Sequence, residues 1–190
     1  MLSMTIALFG GRFDPVHNGH IHVAKAVLKA GKADEVWFVP DNTHQWNPII
    51  ASPQDRLNML KLVLESDMKV DDAAIRLGGM SETIYVYRRF RQKYPSIRFV
   101  FICGSDQLPT LRDWTYWTEI EQEIPFLVVA REGYPITDLP SNCTLLEDPA
   151  YIPVEDSATR IRKLIKERRS ITDLVSSQIN SYIKSHNLYI

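Results

Sequence analysis

Cysteine is scarce in this chain: Cys103 and Cys143 are the only two among 190 residues. They do not form a metal-type pair by spacing, and Cys103 sits in an apolar run. That reads as a reduced core thiol in a cytoplasmic protein. Charge of one sign is also lacking. Twenty-two Lys and Arg against 23 Asp and Glu leave a formal net charge of −1, which argues against a generally basic nucleic-acid binder. No apolar run is long enough to span a bilayer. The opening Met1-Leu2-Ser3-Met4 lacks the basic and apolar regions of a signal peptide. Internal repeats, low-complexity tracts and linkers are absent too, so the expectation is one domain over residues 1–190. What is present suits a globular core: 45% apolar residues and 24% charged.

Short apolar runs alternate with helical periodicity. Thr5–Phe9, Glu35–Pro40, Ile97–Cys103 and Phe126–Ala130 read as strands, with weaker ones near Lys69–Ile75 and Thr144–Glu147. Helices are expected over Ile21–Ala30, from Ser52-Pro53 to Leu64, over Ser81–Tyr94, around Trp114–Ile120, from Asp156 or Ser157 to about Arg169, and over Thr172–Lys184. This alternation implies an α/β, Rossmann-like, doubly wound parallel sheet with right-handed crossovers and C-terminal helices.

The chain is organised around Gly10-Gly11-Arg12-Phe13-Asp14-Pro15-Val16-His17-Asn18-Gly19-His20, a glycine-rich turn from the first strand into the first helix. Paired glycines let a ligand approach the main chain and open backbone angles closed to other residues. A helix start attracts anions. If the helix begins near Asn18, His17 and His20 share a face of its first turn. Both could then donate to phosphate oxygens, which would favour their charged forms. Asp14 could cap the turn or orient a histidine. The plain alternatives are an ordinary turn and solvated histidines.

Two further constellations stand out. Ser157-Ala158-Thr159-Arg160-Ile161-Arg162 puts two hydroxyls at a helix start and Arg162 one turn beyond Thr159, with a planar fork matched to phosphate. Its plain reading is a capped helix with a basic outer face. Gly104-Ser105-Asp106 closes the clearest strand, where a carboxylate can accept from a ribose diol, and Trp114 beyond it could stack on a flat heterocycle. Here the alternatives are a helix cap and a core tryptophan. The basic residues Arg88, Arg89, Arg91 and Lys93 read as a solvated helix face.

Gly-Gly-x-Phe-Asp-Pro-x-His-x-Gly-His resembles the signature of the nucleotidylyltransferase superfamily, and most closely that of the bacterial nicotinate mononucleotide adenylyltransferases. Ser-Ala-Thr-x-Ile-Arg at 157–162 resembles the family's second signature. Gly-x-Asp-x-Leu followed by Trp114, and Arg131-x-Gly-Tyr-Pro, resemble further family segments. The resemblance runs in order along nearly the whole chain. It implies the nucleotidylyltransferase type of the fold, with Gly10, Gly11, Phe13 and Asp14 in the nucleotide loop. It implies that His17 and His20 grip the triphosphate and stabilise the transition state. Ser157, Thr159 and Arg162 would hold the β- and γ-phosphates, and Gly104 and Asp106 would lie near a ribose. Thr83, Trp114, Arg131 and His44 would serve the substrate pocket.

Two positions depart from the family pattern. The loop after the second strand, usually Pro-Pro-His-Lys or Pro-Pro-His-Arg, reads Thr43-His44-Gln45-Trp46, leaving His44 to stand in. The family's Ser-Tyr-Thr, whose backbone helps grip a nicotinate carboxylate, reads Ser81-Glu82-Thr83.

The expected activity is adenylyl transfer from ATP, with Mg²⁺ carried on its phosphates, to nicotinate mononucleotide. The products are nicotinate adenine dinucleotide and pyrophosphate, a step of NAD synthesis. The alternatives are nicotinamide mononucleotide or another phosphorylated acceptor such as phosphopantetheine, and a catalytically silent nucleotide sensor. Partners are expected to be ATP and a pyridine mononucleotide, with neither nucleic acid nor membrane. Oligomeric state is not legible.

Overall fold

The computed structural model describes residues 4–42, 49–78, 82–148, 150–153 and 157–190. Six strands, β1 (Thr5–Gly11), β2 (Glu35–Pro40), β3 (Met68–Val70), β4 (Arg98–Gly104), β5 (Phe126–Val129) and β6 (Cys143–Leu145), form one sheet in the order β3-β2-β1-β4-β5-β6. Every strand pair is parallel. This bears out the doubly wound sheet. The order reverses between β1 and β4, so their C-terminal ends open the crevice where ligands of such sheets bind.

Alternation along the strands explains why both faces are covered. In β1, Ala7 joins one core while Ile6 and Leu8 join the other; in β2, Val36 and Phe38 oppose Trp37 and Val39. The first core is closed by α1 (Asn18–Lys29), α2 (Pro53–Lys61), α6 (Ala158–Lys166) and α7 (Ser177–Ser185). The second is closed by α3 (Ala73–Leu77), α4 (Thr83–Lys93) and α5 (Trp117–Glu123). A 3-10 segment, Ser105–Asp113, links β4 to α5.

Several elements differ from the sequence expectation. Helix α3 occupies part of the region expected as a strand, because Asp71 Oδ1 accepts the Ala73 amide and turns the chain after Val70. Helix α2 stops at Lys61 rather than Leu64. The last helix starts at Ser177, not Thr172. Residues 173 and 174 are drawn out of helix by α1: the Asn18 amide donates to the Leu174 carbonyl at 2.9 Å, and Asn18 Nδ2 to the Asp173 carbonyl at 3.1 Å. Among the described residues no helix is long and apolar enough to cross a membrane. Both cysteines are free thiols, Cys103 buried and Cys143 half-buried.

Candidate active site

Gly10 and Gly11 are the last residues of β1, paired with Val39 and Pro40. Neither has a positive φ, so the conformational freedom expected of them is not what the turn uses. They are needed for space. A Cβ on Gly10 would lie 2.6 Å from Phe101 Cζ, and one on Gly11 would lie 3.3 Å from Phe13 Cζ. The left-handed residue of the turn is Phe13, with φ of 48°. Its buried ring meets Phe9, Phe38 and His20 edge-on, the last at 4.9 Å between centroids. Phe13 therefore props the imidazole from below.

Helix α1 begins at Asn18 with His17 as its N-cap, so the two histidines do share the first turn. Their rings lie 3.7 Å apart between centroids. His20 Nδ1 accepts the His17 amide at 3.2 Å. An accepting Nδ1 puts the His20 proton on Nε2, which is thereby a donor. His17 Nδ1 is buried with no hydrogen-bond partner among the described residues. Burial pushes the pKa of His17 down to about 3, helped by the Arg131 charge. Burial, His17, Arg131 and Arg12 hold His20 well below the ordinary imidazole value. Without a ligand both rings are neutral at pH 7. The His17, Asn18 and His20 amides are all engaged within the protein.

The second signature arrives beside the first. Arg162 Nη1 donates to the Asp14 carbonyl at 2.7 Å, and its Nη2 to Thr159 Oγ1 at 3.3 Å. Ser157 is the N-cap of α6, its Oγ accepting the Arg160 amide at 3.2 Å. The capped-helix reading therefore holds, and it leaves room for the phosphate reading. Ile161, Leu164 and Ile165 seat the helix in the core. Asp14 stands differently from what its place in the motif suggests. Its buried carboxylate is engaged by the Ile50 and Ala51 amides and by the Tyr189 hydroxyl, and it touches neither histidine.

A third group closes the crevice from β4 and β5. Asp106 Oδ2 lies 3.4 Å from Arg131 Nη1 and accepts Gln107 Nε2 at 2.9 Å, while its Oδ1 is buried with no partner among the described residues. Gly104 makes room for both side chains: its Cβ would fall 2.3 Å from Asp106 Oδ1 and 2.9 Å from Arg131 Cδ. Ser105, unremarked in the sequence, is buried between them, donating to the Tyr134 carbonyl and accepting the Arg131 amide.

Thr83 opens α4 and is half-buried. Trp114, also half-buried, sets its ring edge-on to Phe126 at 6.2 Å. His44 and Ser81 lie outside the described residues. The basic face of α4 is engaged locally, Arg88 with Glu123 and Arg91 with the Ile97 carbonyl.

Two arginines escaped sequence reading. Arg56 of α2 is fully buried, and its fork donates to the carbonyls of Arg12 at 2.9 Å and Asp41 at 2.7 Å. It thereby ties the loops after β1 and β2 together. Arg12 brings its charge to bear on His20 and Arg162. A buried arginine in an amphipathic helix carries no signal distinguishing it from a solvated one. Burial raises Asp41, beside both arginines, to about 6 against their opposing pull.

A family model described as cytidylyltransferase-like matches residues 8–164, a span that takes in both phosphate-type motifs. The chain is 34% identical over 188 residues to a probable nicotinate-nucleotide adenylyltransferase of Shouchella clausii, covering 97% of this chain and 96% of that one. It is 31% identical over 188 residues to the nicotinate-nucleotide adenylyltransferase of Bacillus subtilis, covering 97% of each. A solved structure of Plasmodium falciparum nicotinic acid mononucleotide adenylyltransferase complexed with NaAD shares the fold, with a TM-score of 0.85 at 20% identity over 98% of this chain and 97% of that one. The chain belongs to the cytidylyltransferase-like family and, within it, to the nicotinate-nucleotide adenylyltransferases.

Proposed function

We propose that the protein transfers the adenylyl group of ATP to nicotinate mononucleotide, releasing pyrophosphate, and that the single domain 1–190 does so in the cytoplasm. The observation that carries this reading is the 2.7 Å bond from Arg162 to the Asp14 carbonyl, which brings residues 148 positions apart to one end of the crevice. Around it stand two imidazoles, two hydroxyls and a guanidinium fork, the donor set that a triphosphate requires.

The acceptor's 5′-phosphate oxygen attacks the α-phosphorus in line, and the bond from that phosphorus to the β-phosphate bridge oxygen breaks. The acceptor is already an anion at pH 7, so no protein nucleophile is needed and catalysis is positioning plus charge stabilisation. His20 presents its Nε2 proton, and His17, whose Nδ1 is without a partner among the described residues, takes up positive charge as phosphate approaches. Ser157, Thr159 and Arg162 hold the β- and γ-phosphates. Asp106, with its bare Oδ1, accepts from a ribose hydroxyl beside Arg131. Thr83 and Trp114 border the pyridine end, and His44 serves the loop after β2. Gly10, Gly11, Phe13, Asp14 and Gly104 shape the floor under these groups. Mg²⁺ fits as a passenger on the phosphates, where it would neutralise charge on the leaving pyrophosphate; imidazoles, hydroxyls and guanidinium groups at this end suit phosphate oxygens.

A second reading, nicotinamide mononucleotide as acceptor, is favoured by Glu82. This carboxylate is the N-cap of α4 and makes no capping bond. Facing inward, it would repel a substrate carboxylate. Pyrophosphate release with ATP and Mg²⁺ against nicotinate mononucleotide, nicotinamide mononucleotide and phosphopantetheine tests both readings. Preference for the nicotinate form supports the first, and preference for the amide selects the second. Silence with all three, alongside ATP binding, leaves a nucleotide sensor.

A further inference from the structure

Asp14 gathers four donors from three distant parts of the chain. Its Oδ2 accepts the Ile50 amide at 2.8 Å; its Oδ1 accepts the Ala51 amide at 3.0 Å and the Tyr189 hydroxyl at 2.8 Å. Its carbonyl accepts Arg162 at 2.7 Å. The carboxylate is fully buried and Tyr189 nearly so. Ile50 and Ala51 lead directly into Ser52, the N-cap of α2. Tyr189 holds a φ of 68°, a left-handed conformation that is unfavourable for a non-glycine residue. The ring's packing in the first core and the bond to Asp14 offset that cost.

We propose that Tyr189 is a positioning residue for the nucleotide site, acting through Asp14 on the Arg162 fork and on the Ile50–Ala51 backbone. The inference rests on the triphosphate reading of Arg162. Burial and the Asp14 charge raise the phenol's pKa, so the hydroxyl keeps its proton and remains the donor. Two backbone amides alone leave the buried carboxylate short of one partner, and a hydrogen bond to a charged group is among the stronger ones. The carboxylate then shifts to seek another donor, and the carbonyl that holds Arg162 moves with it. The acceptor end, at Thr83 and Trp114, belongs to other elements and stays in place.

The test is Tyr189→Phe, which keeps the ring and removes only the hydroxyl. The control is Tyr182→Phe on α7. The Tyr182 hydroxyl donates to Asp55 at 2.9 Å, a similar tie that makes no bond to Asp14. Calorimetry measures the Kd of ATP and of nicotinate mononucleotide, and steady-state assays give kcat and both KM values. Tyr189→Phe is expected to weaken ATP about tenfold, lower kcat, and leave the acceptor's Kd within about twofold. Tyr182→Phe is expected to lower Tm and leave ATP affinity unchanged. An ATP Kd in Tyr189→Phe equal to that of the wild type, or an equal loss in Tyr182→Phe, overturns the proposal. If the wild type binds ATP but makes no dinucleotide, the enzymatic reading falls, and the ATP affinities still decide for or against Tyr189.

Discussion

At the scale of single residues, the glycines of the site are spacers. Gly10 cannot take a Cβ without displacing the Phe101 ring, which packs in the second core. Gly10→Ala should lower stability by about 1–3 kcal/mol, the usual range for overpacking a core. Phe101→Leu added to it should recover part of the loss in urea unfolding. No recovery would mean that the cost lies in the backbone. His20 sits at the other extreme, supported by Phe13 and oriented by the His17 amide. Removing one transition-state donor costs about 2.7–4 kcal/mol. His20→Ala should therefore cut kcat on the order of a hundredfold or more with little change in Tm. Near-normal turnover would take His20 out of the mechanism.

At the scale of elements, the start of α1 carries a pH dependence. The unfolded chain protonates both imidazoles below their ordinary pKa of 6.5, whereas the folded chain holds His17 down to about 3 and His20 well below 6.5. Folding thus disfavours protonation of both rings, and stability is lost as pH falls below the ordinary imidazole value. Asp41 opposes the trend: its folded pKa of about 6 against 3.8 keeps one proton that the unfolded chain has released. Two depressed imidazoles outweigh one raised carboxyl, so the unfolded chain binds more protons. Stability should then rise with pH near pH 5. Urea unfolding at pH 4.5, 5 and 5.5 checks the slope, and a flat or falling profile would contradict the neutral-histidine assignment. The same neutrality implies proton uptake when a triphosphate arrives. At pH 7 the calorimetric enthalpy of ATP binding should vary with the buffer's ionisation enthalpy.

At the scale of the whole molecule, the site is held from behind by ties between distant loops. Arg56 joins the turns after β1 and β2, and Arg162 joins α6 to the loop after β1. A hydrogen bond from a charged group typically contributes about 1.5–3 kcal/mol. Arg56→Lys keeps the charge but cannot reach both carbonyls, because an ammonium lacks the planar fork. We expect a large drop in Tm together with loss of activity. Retained stability in Arg56→Lys would mean that the two loops hold their places without this residue.

The alternation of strand and helix, the two-sided burial of β1 and β2, and the two phosphate-type motifs were all present in local pattern. Period and turn chemistry act between near neighbours, so His17, His20, Ser157, Thr159 and Arg162 could be singled out from spacing alone. Strand order, and with it the crevice between β1 and β4, depends on contacts across the chain. So do the roles that departed from expectation. Asp14 belongs to Tyr189 and the Ile50–Ala51 backbone, Gly10 to Phe101, and Gly104 to the Asp106–Arg131 pair. Residues 173 and 174 left the last helix because Asn18 claimed their carbonyls. The sequence by itself determined which groups could meet a phosphate. Tertiary structure decided that the two motifs meet each other, and that the histidines wait there uncharged, because burial and neighbouring charge exist only once the sheet has brought its loops together.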